Sequence, residues 1–199
     1  MAGSNEKTAA RQRFKAYRSS LTKSEYERHS SKICSHLESL RTWIPGEVVH
    51  VFWPMIERRE PDIRPFIQIL FELPVRLVMP VVSSYSADPV NGGRLRHARV
   101  NSLQNFRHNK WGIAEPDCES FVSENELDVI IAPGLGADRN GHRMGYGMGY
   151  YDEFLSLVDI PTICPIFSAC LVDKIPREKH DVAISVIVTE QGVVEIDKT

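Results

Sequence analysis

Apolar residues recur at helical spacing through the first forty positions, at Phe14, Tyr17, Leu21, Ile33, Leu37 and Leu40, among Lys, Arg, Glu and Ser. That periodicity predicts two helices between Glu6 and about Arg41. Thr22, followed three residues later by Glu25, spells a capping box and sets the start of the second helix. Pro45-Gly46 ends it, and Val48 to Trp53 then reads as a β-rich buried strand closed by Pro54. Asp62 to Phe71 predicts a helix, and Arg76 to Val82 the next strand. Turn chemistry at Asp88 to Gly93 precedes a short strand from Arg94 to Arg99. Leu127 to Ala132 is an apolar run of strand length, and Tyr150 to Val158 a further helix. Thr162 to Phe167 and Ser185 to Thr189 complete the strands, with Val193 to Ile196 as a terminal hairpin partner. This alternation predicts an α/β fold, a single three-layer α/β/α sandwich with a mainly parallel, Rossmann-like sheet.

The length of 199 residues fits one domain spanning residues 1–199, with residues 1–5 expected to be disordered or a cloning remnant. Hydrophobic residues at 42% and charged residues at 25% are globular values, and they exclude a disordered chain. A net charge of −2 provides no footprint for nucleic acid or an anionic membrane surface, so neither is expected as a partner. Any anionic ligand must be held locally. The longest uncharged stretch, Ile160 to Val172, carries two prolines and is too short to span a bilayer. The N-terminus has no apolar leader, so a cytoplasmic location is expected. Cys34, Cys118, Cys164 and Cys170 have no paired spacing and read as structural thiols.

The chemistry concentrates between Pro133 and Asp152. Glycines 136, 141, 145, 147 and 149 follow a buried strand and open into a helix. Backbone N–H groups of such a loop can approach a phosphate closely, the helix N-terminus favours an anion, and Arg143 can add a mobile positive charge. The loop lacks the Gly-Lys-Ser/Thr ending of a P-loop, and Tyr150 stands where a dinucleotide fingerprint needs its third glycine. A glycine-rich turn that merely joins strand to helix is the alternative.

Arg143-Met144-Gly145-Tyr146-Gly147-Met148-Gly149-Tyr150-Tyr151-Asp152 resembles the nucleotide loop of the 5-formyltetrahydrofolate cyclo-ligase family. Supporting matches are Lys7 and Arg11, Trp53-Pro54 with Glu60-Pro61-Asp62, Trp111 to Pro116, Pro176 with His180-Asp181, and Thr189-Glu190. The resemblance implies an ATP- and Mg²⁺-dependent ligase that converts 5-formyltetrahydrofolate to 5,10-methenyltetrahydrofolate, ADP and phosphate, by phosphorylating the formyl oxygen. Its partners would be those two small molecules, and the chain a monomer or weak homodimer.

Carried onto this sequence, the resemblance makes Arg143 and Tyr151 catalytic. Lys7, Arg11, Arg143, Met144, Gly145, Tyr146, Gly147, Met148, Gly149, Tyr150 and Tyr151 would bind ATP. Trp53, Glu60 and residues Tyr146, Gly147, Met148, Gly149 and Tyr150 would bind folate, with Glu60 in a polar stretch and Trp111 as pocket wall. Asp152 and Asp181 would bind Mg²⁺, which takes hard oxygen ligands. From the residues alone, Lys7 and Arg11 can also be solvated surface cations, Asp152 a helix-start aspartate, Asp181 a loop residue and Trp53 core. Cys170 and Ser185 depart from the family's Gln and Asp, which puts contacts in the C-terminal third in question. Zinc-binding and Gly-x-Ser-x-Gly spellings are absent. A non-catalytic nucleotide- or folate-binding relative is the alternative from another class, and a sugar-phosphate isomerase-like enzyme rests on fold analogy alone.

Overall fold

Helix α1 (Ala2–Ser20) and helix α2 (Lys23–Ser39) meet at Thr22, whose side chain accepts from the Glu25 N–H at 3.2 Å while Glu25 accepts from the Thr22 N–H at 2.8 Å. Both halves of the expected capping box are present, and each satisfies a backbone donor that a helix start would otherwise leave unpaired. The computed structural model describes residues 2–82, 95–109, 112–118, 120–176 and 181–196. The Asp88 to Gly93 turn, Arg94, Trp111 and His180 lie outside them. Residues 2–5, expected to be disordered or a cloning remnant, lie within the bounds of α1.

The chain continues through β1 (Val48–Val51), α3 (Arg64–Glu72), β2 (Arg76–Val82), β3 (Leu95–Arg99), β4 (Phe106–His108), β5 (Ala114–Pro116) and β6 (Phe121–Val122). It then forms β7 (Val129–Ile131), β8 (Gly136–Asp138), β9 (Arg143–Met144), α4 (Tyr150–Leu155), β10 (Thr162–Pro165), β11 (Leu171–Val172), β12 (Val186–Thr189) and β13 (Gly192–Glu195). The central sheet has the order β13-β12-β10-β7-β1-β2-β3-β6. Its five middle strands, from β12 to β2, are parallel, and β13, β3 and β6 pair antiparallel at the edges.

Side-chain alternation divides the sheet into two faces. Val49, Val51, Leu77, Met79, Val129 and Ile131 pack with Phe14, Ile33, Leu37, Phe66 and Leu70 from α1, α2 and α3. Val48, Val78, Ile130, Cys164 and Ile187 face the other way, onto Phe154 and Leu155 of α4. Each fully buried Leu, Ile or Phe contributes about 1.5–3 kcal/mol, so both faces hold the sandwich together. The expected mainly parallel three-layer fold is present, with a thin second layer.

Several boundaries differ from the sequence pattern. Helix α4 stops at Leu155 rather than Val158, because the Ser156 hydroxyl donates to the Glu153 carbonyl at 2.7 Å and Leu157, 57% exposed, would have no core to join. Strand β1 ends before Phe52 and Trp53, which leave the sheet. Six short strands, β4, β5, β6, β8, β9 and β11, were not anticipated, since two or three residues cannot display a period.

Beneath α4 lie two buried histidines. His50 on β1 and His97 on β3 are 0% and 1% exposed, with ring centroids 5.2 Å apart, and both pack on Phe154. None of their four ring nitrogens has a hydrogen-bond partner among the described residues. Burial, with His97 nearby, holds the His50 imidazole well below its ordinary pKa of 6.5. Burial also lowers His97, against the opposing pull of Glu124, 3.9 Å away. A depressed histidine takes up fewer protons folded than unfolded, so its stability contribution is intact above the unfolded pKa and is lost as pH falls below it. Urea unfolding should therefore show stability declining below about pH 6.5, at up to about 1.4 kcal/mol per pH unit per histidine. His97→Leu should make that acid limb shallower; pH–stability curves that stay parallel in variant and parent would refute the assignment.

Candidate active site

Strands β1 and β7 are neighbours, and the chain leaves them in opposite directions, from β1 across α3 to β2 and from β7 across α4 to β10. The carboxyl ends of such a divergent pair open a crevice where ligands of open α/β sheets bind. A cavity of about 390 Å³ occupies this position, and its wall includes Trp53, Glu60, Glu115, Arg143, Tyr146 and Asp152. Trp53 and Glu60 come from the segment after β1, and the glycine loop from the segment after β7. Tyr146 to Tyr151 line the cavity.

The five glycines do different work. A Cβ on Gly136 would stand 2.6 Å from the Cys170 carbonyl oxygen and 2.6 Å from the Phe14 ring, so this glycine lets α1 approach the β8–β9 hairpin. Gly141 turns the hairpin at φ 84°, and a Cβ there would meet the Ile184 carbonyl at 2.8 Å. Both serve packing. Gly145, Gly147 and Gly149 form the pocket-lining stretch, the last two at φ 100° and 75°, where a side chain is strained.

Helix α1 runs along this loop with a stripe of cations. Lys7, Arg11, Lys15 and Arg18 are spaced four, four and three residues apart and share one face. The Lys7 ammonium contacts Asp181 at 2.9 Å. Arg11 Nε donates to the Gly145 carbonyl at 3.1 Å, and its guanidinium lies against Gly147. Lys15 Nζ stands 5.5 Å from the Tyr146 ring centroid. Arg18, 1% exposed, donates to the Gly134 carbonyl and, at 3.3 Å, to the Tyr146 hydroxyl. Sequence reasoning found Lys7 and Arg11 but passed over Lys15 and Arg18, although the same spacing extends to both.

Glu60 is the largest revision. Its polar neighbours suggested an accessible carboxylate, but it is 2% exposed. Arg59 explains the burial: at φ 51° it takes a left-handed conformation that turns the chain back and carries the next side chain inward. Glu60 Oε2 accepts from the Met55 N–H at 2.8 Å and the Tyr146 phenol adjoins the carboxylate, while Oε1 is buried without a well-formed hydrogen bond among the described residues. Burial pushes its carboxyl above the ordinary range, opposed chiefly by the Arg18 charge. Burial likewise raises the Tyr146 phenol. Trp53, half-buried, stacks on Phe106 with centroids 4.4 Å apart and planes 32° apart.

Arg143 is buried and donates to Asp152 at 2.8 Å, with its guanidinium carbon 5.5 Å from the Tyr151 ring centroid. The Tyr151 hydroxyl is buried with no hydrogen-bond partner among the described residues, and burial raises its pKa. The two carboxylates expected to hold Mg²⁺ thus each pair with a cation expected to hold phosphate. Asp152 lines the cavity, whereas Lys7, Arg11, Met144 and Asp181 stand outside its wall. Among the described residues no three metal-ligating side chains cluster. Cys170 is fully buried beside Gly136, and Ser185 accepts from the Thr162 N–H, so both departures fall on packing positions away from the cavity. Glu190 also serves the fold, accepting from Ser168 N–H at 2.8 Å and from its hydroxyl.

A mostly parallel α/β sheet, with a glycine-walled cavity at its divergence point and a basic helix face beside the loop, has the architecture of a small-molecule enzyme. The model of the 5-formyltetrahydrofolate cyclo-ligase family matches residues 3–190, and the chain belongs to that family. It is 31% identical over 172 residues to the 5-formyltetrahydrofolate cyclo-ligase of Mycolicibacterium smegmatis, covering 80% of this chain and 84% of that one. The Escherichia coli K12 cyclo-ligase is 31% identical over 141 residues, 68% of this chain and 75% of that one. The NMR structure of Aquifex aeolicus 5,10-methenyltetrahydrofolate synthetase superposes with a TM-score of 0.80 at 27% identity, over 97% of this chain and 94% of that one. The protein is an enzyme of the ligase class.

The glycines separate packing from ligand handling in a testable way. Gly136→Ala forces backbone apart and should cost about 1–3 kcal/mol, a melting-temperature loss of a few to about ten degrees, with activity per folded molecule preserved. Gly147→Ala, which presses on the Arg11 guanidinium, should lose activity out of proportion to stability. Melting scans and initial rates on the same samples decide it, and the reverse ranking would overturn the division.

Proposed function

We propose that this protein uses ATP and Mg²⁺ to close the ring of 5-formyltetrahydrofolate, giving 5,10-methenyltetrahydrofolate, ADP and phosphate. It would do so as one cytoplasmic domain acting alone or as a weak homodimer. The observation that carries the reading is Glu60, a buried carboxylate whose Oε1 is left without a well-formed hydrogen bond in the cavity wall beside Trp53. An unpaired buried acceptor is costly, and a pterin edge, with adjacent N–H donors, satisfies it. The exposed Trp53 surface supports stacking of the same ring.

The chemical difficulty is a poor leaving group. The formyl oxygen attacks the γ-phosphorus of ATP, and the bond to the β-phosphate oxygen breaks to release ADP. N10 then attacks the activated formyl carbon, inorganic phosphate departs with the former formyl oxygen, and N10 loses its proton. Alignment and charge stabilisation carry the phosphoryl step. Arg143 in the cavity wall, Lys7 and Arg11 of α1 beside the loop, and the backbone from Met144 to Tyr151 would hold the phosphates. Tyr151 backs Arg143, keeping water from the reacting phosphate. Asp152 and Asp181 are hard oxygen donors that fit Mg²⁺ carried on ATP, an ion for which one or two protein carboxylates suffice. Held there, Mg²⁺ would supply charge neutralisation to the phosphates of ATP. The Lys7–Asp181 and Arg143–Asp152 pairs would exchange partners when Mg-ATP arrives.

The appearance of methenyltetrahydrofolate absorbance on mixing protein, ATP, Mg²⁺ and 5-formyltetrahydrofolate tests the reading, and binding without turnover would identify a non-catalytic relative. Glu60→Gln keeps the side-chain shape but removes its charge and should weaken folate binding roughly tenfold or more, at the level of a hydrogen bond to a charged group, while sparing ATP. Separate calorimetric titrations decide it, and unchanged folate affinity removes Glu60 from the site.

Asp152→Asn and Asp181→Asn should each raise the Mg²⁺ concentration needed for half-maximal rate at saturating ATP. Together they should fall short of additive loss, because the first removal already disrupts a shared ion. Additive losses with an unchanged Mg²⁺ requirement would show that the two carboxylates share no ion.

A further inference from the structure

The turn of the β8–β9 hairpin lies outside the cavity wall and holds a buried carboxylate that takes no part in the chemistry proposed above. Asp138, the last residue of β8, is 1% exposed. Its Oδ1 accepts from the Asn140 and His142 N–H groups, each at 3.0 Å, and stands 3.3 Å from His142 Nδ1. Its Oδ2 accepts from the Ile175 N–H at 3.2 Å. A charge so buried is costly unless hydrogen-bonded, and here backbone donors from two separate segments satisfy it, so the carboxylate locks those segments together. A second tie runs beside it. The Ile184 N–H donates to the Gly141 carbonyl at 2.9 Å, next to an antiparallel bridge between His142 and Ala183. Ile175 precedes Asp181 in the chain and Ile184 follows it, so the stretch that carries Asp181 is tied to the turn on both sides. Arg143 directly follows His142. One turn therefore sets the starting point of Arg143, which meets Asp152 at 2.8 Å, and of Asp181, which meets Lys7 at 2.9 Å.

We propose that Asp138 is a positioning residue for phosphoryl transfer: its carboxylate fixes Arg143 and Asp181 relative to each other before ATP and Mg²⁺ arrive. The inference rests on the nucleotide reading given above, in which Arg143 meets phosphate and Asp181 the ion. Groups already held in place need not be ordered when the ligand binds, and alignment carries much of a phosphoryl step. A carboxylate suits the position because both of its oxygens accept, so donors can approach from the turn and from Ile175 at once. An amide has a single accepting oxygen, and its NH2 would face backbone N–H groups on one of the two sides. Asp138→Asn therefore keeps the shape of the side chain and opens one tie.

The experiment compares wild type, Asp138→Asn and Gly136→Ala, the last a packing change in the same hairpin that serves as a control for lost stability. Each is measured for melting temperature, for calorimetric affinity towards the β,γ-imido analogue of ATP with Mg²⁺, and for kcat and the KM of each substrate per folded molecule. Asp138→Asn should weaken analogue binding about fivefold or more and lower kcat about tenfold to a hundredfold, while the KM for 5-formyltetrahydrofolate stays within about twofold of wild type. Gly136→Ala should melt earlier with analogue affinity and kcat preserved. In wild type, the Asn140, His142 and Ile175 amides should exchange hydrogen slowly with and without the analogue, since the clamp precedes the ligand. An Asp138→Asn protein that loses only stability, as the control does, overturns the positioning role. So does protection of those three amides that appears only on adding the analogue, a result that needs no variant to fold. A wild type that does not bind the analogue overturns the nucleotide reading, and this inference with it.

Discussion

A guanidinium buried at the meeting point of three chain segments organises the molecule. Arg18, 1% exposed, projects from α1 to the Gly134 carbonyl after β7, to the Tyr146 hydroxyl in the glycine loop, and towards the Glu60 carboxylate after β1. A charge so buried costs several kcal/mol unless it is paired and hydrogen-bonded, so these segments are held to it as firmly as it is held by them. The position of α1 follows from this contact, and so do the placement of Arg11 and Lys7 along the loop and the inward set of Glu60. The Gly136 backbone, pressed against Phe14, provides the close approach that lets Arg18 reach inside.

Charge matching extends outward from that centre. Asp152 and Asp181 stand against Arg143 and Lys7, so these two cations are already compensated within the protein. On the proposed reading, Mg-ATP supplies a divalent cation for the carboxylates and phosphates for the cations, and one set of pairs replaces another. Exchange of that kind keeps the folded protein stable without ligand while leaving strong groups available.

What the sequence makes legible divides along physical lines. Helices α1 and α2 and strand β2 are readable because each is long enough to show its period, and Thr22 with Glu25 because a cap is a local device. The glycine loop is readable as a candidate site, and residues Gly145 to Asp152 do line the cavity. Which of its glycines pack and which line the cavity depends on Phe14, Cys170 and Ile184, all distant in sequence. The burial of Glu60 turns on a left-handed Arg59, and no residue type announces that conformation in arginine. The Lys7–Asp181 contact joins residues 174 positions apart and exists only once the sheet has formed. Lys15 and Arg18 were readable in principle from the spacing that revealed Lys7 and Arg11, but nothing local tells a buried arginine from a solvated one.

The thin second layer has its own consequence. Helix α4 is six residues long, and it carries both Tyr151 and Asp152 while covering His50 and His97. A segment this short holds few backbone hydrogen bonds of its own, so it belongs to the least cooperative part of the molecule. Its opening requires no loss of the α1–α3 face, which keeps its separate core. Hydrogen exchange across the protein should therefore resolve two tiers, with the amides of Tyr151 and Asp152 in the weaker one. The fold thereby locates the give an enzyme needs to admit and release a bulky ligand, and places the scaffold that remembers the site on the opposite side of the sheet.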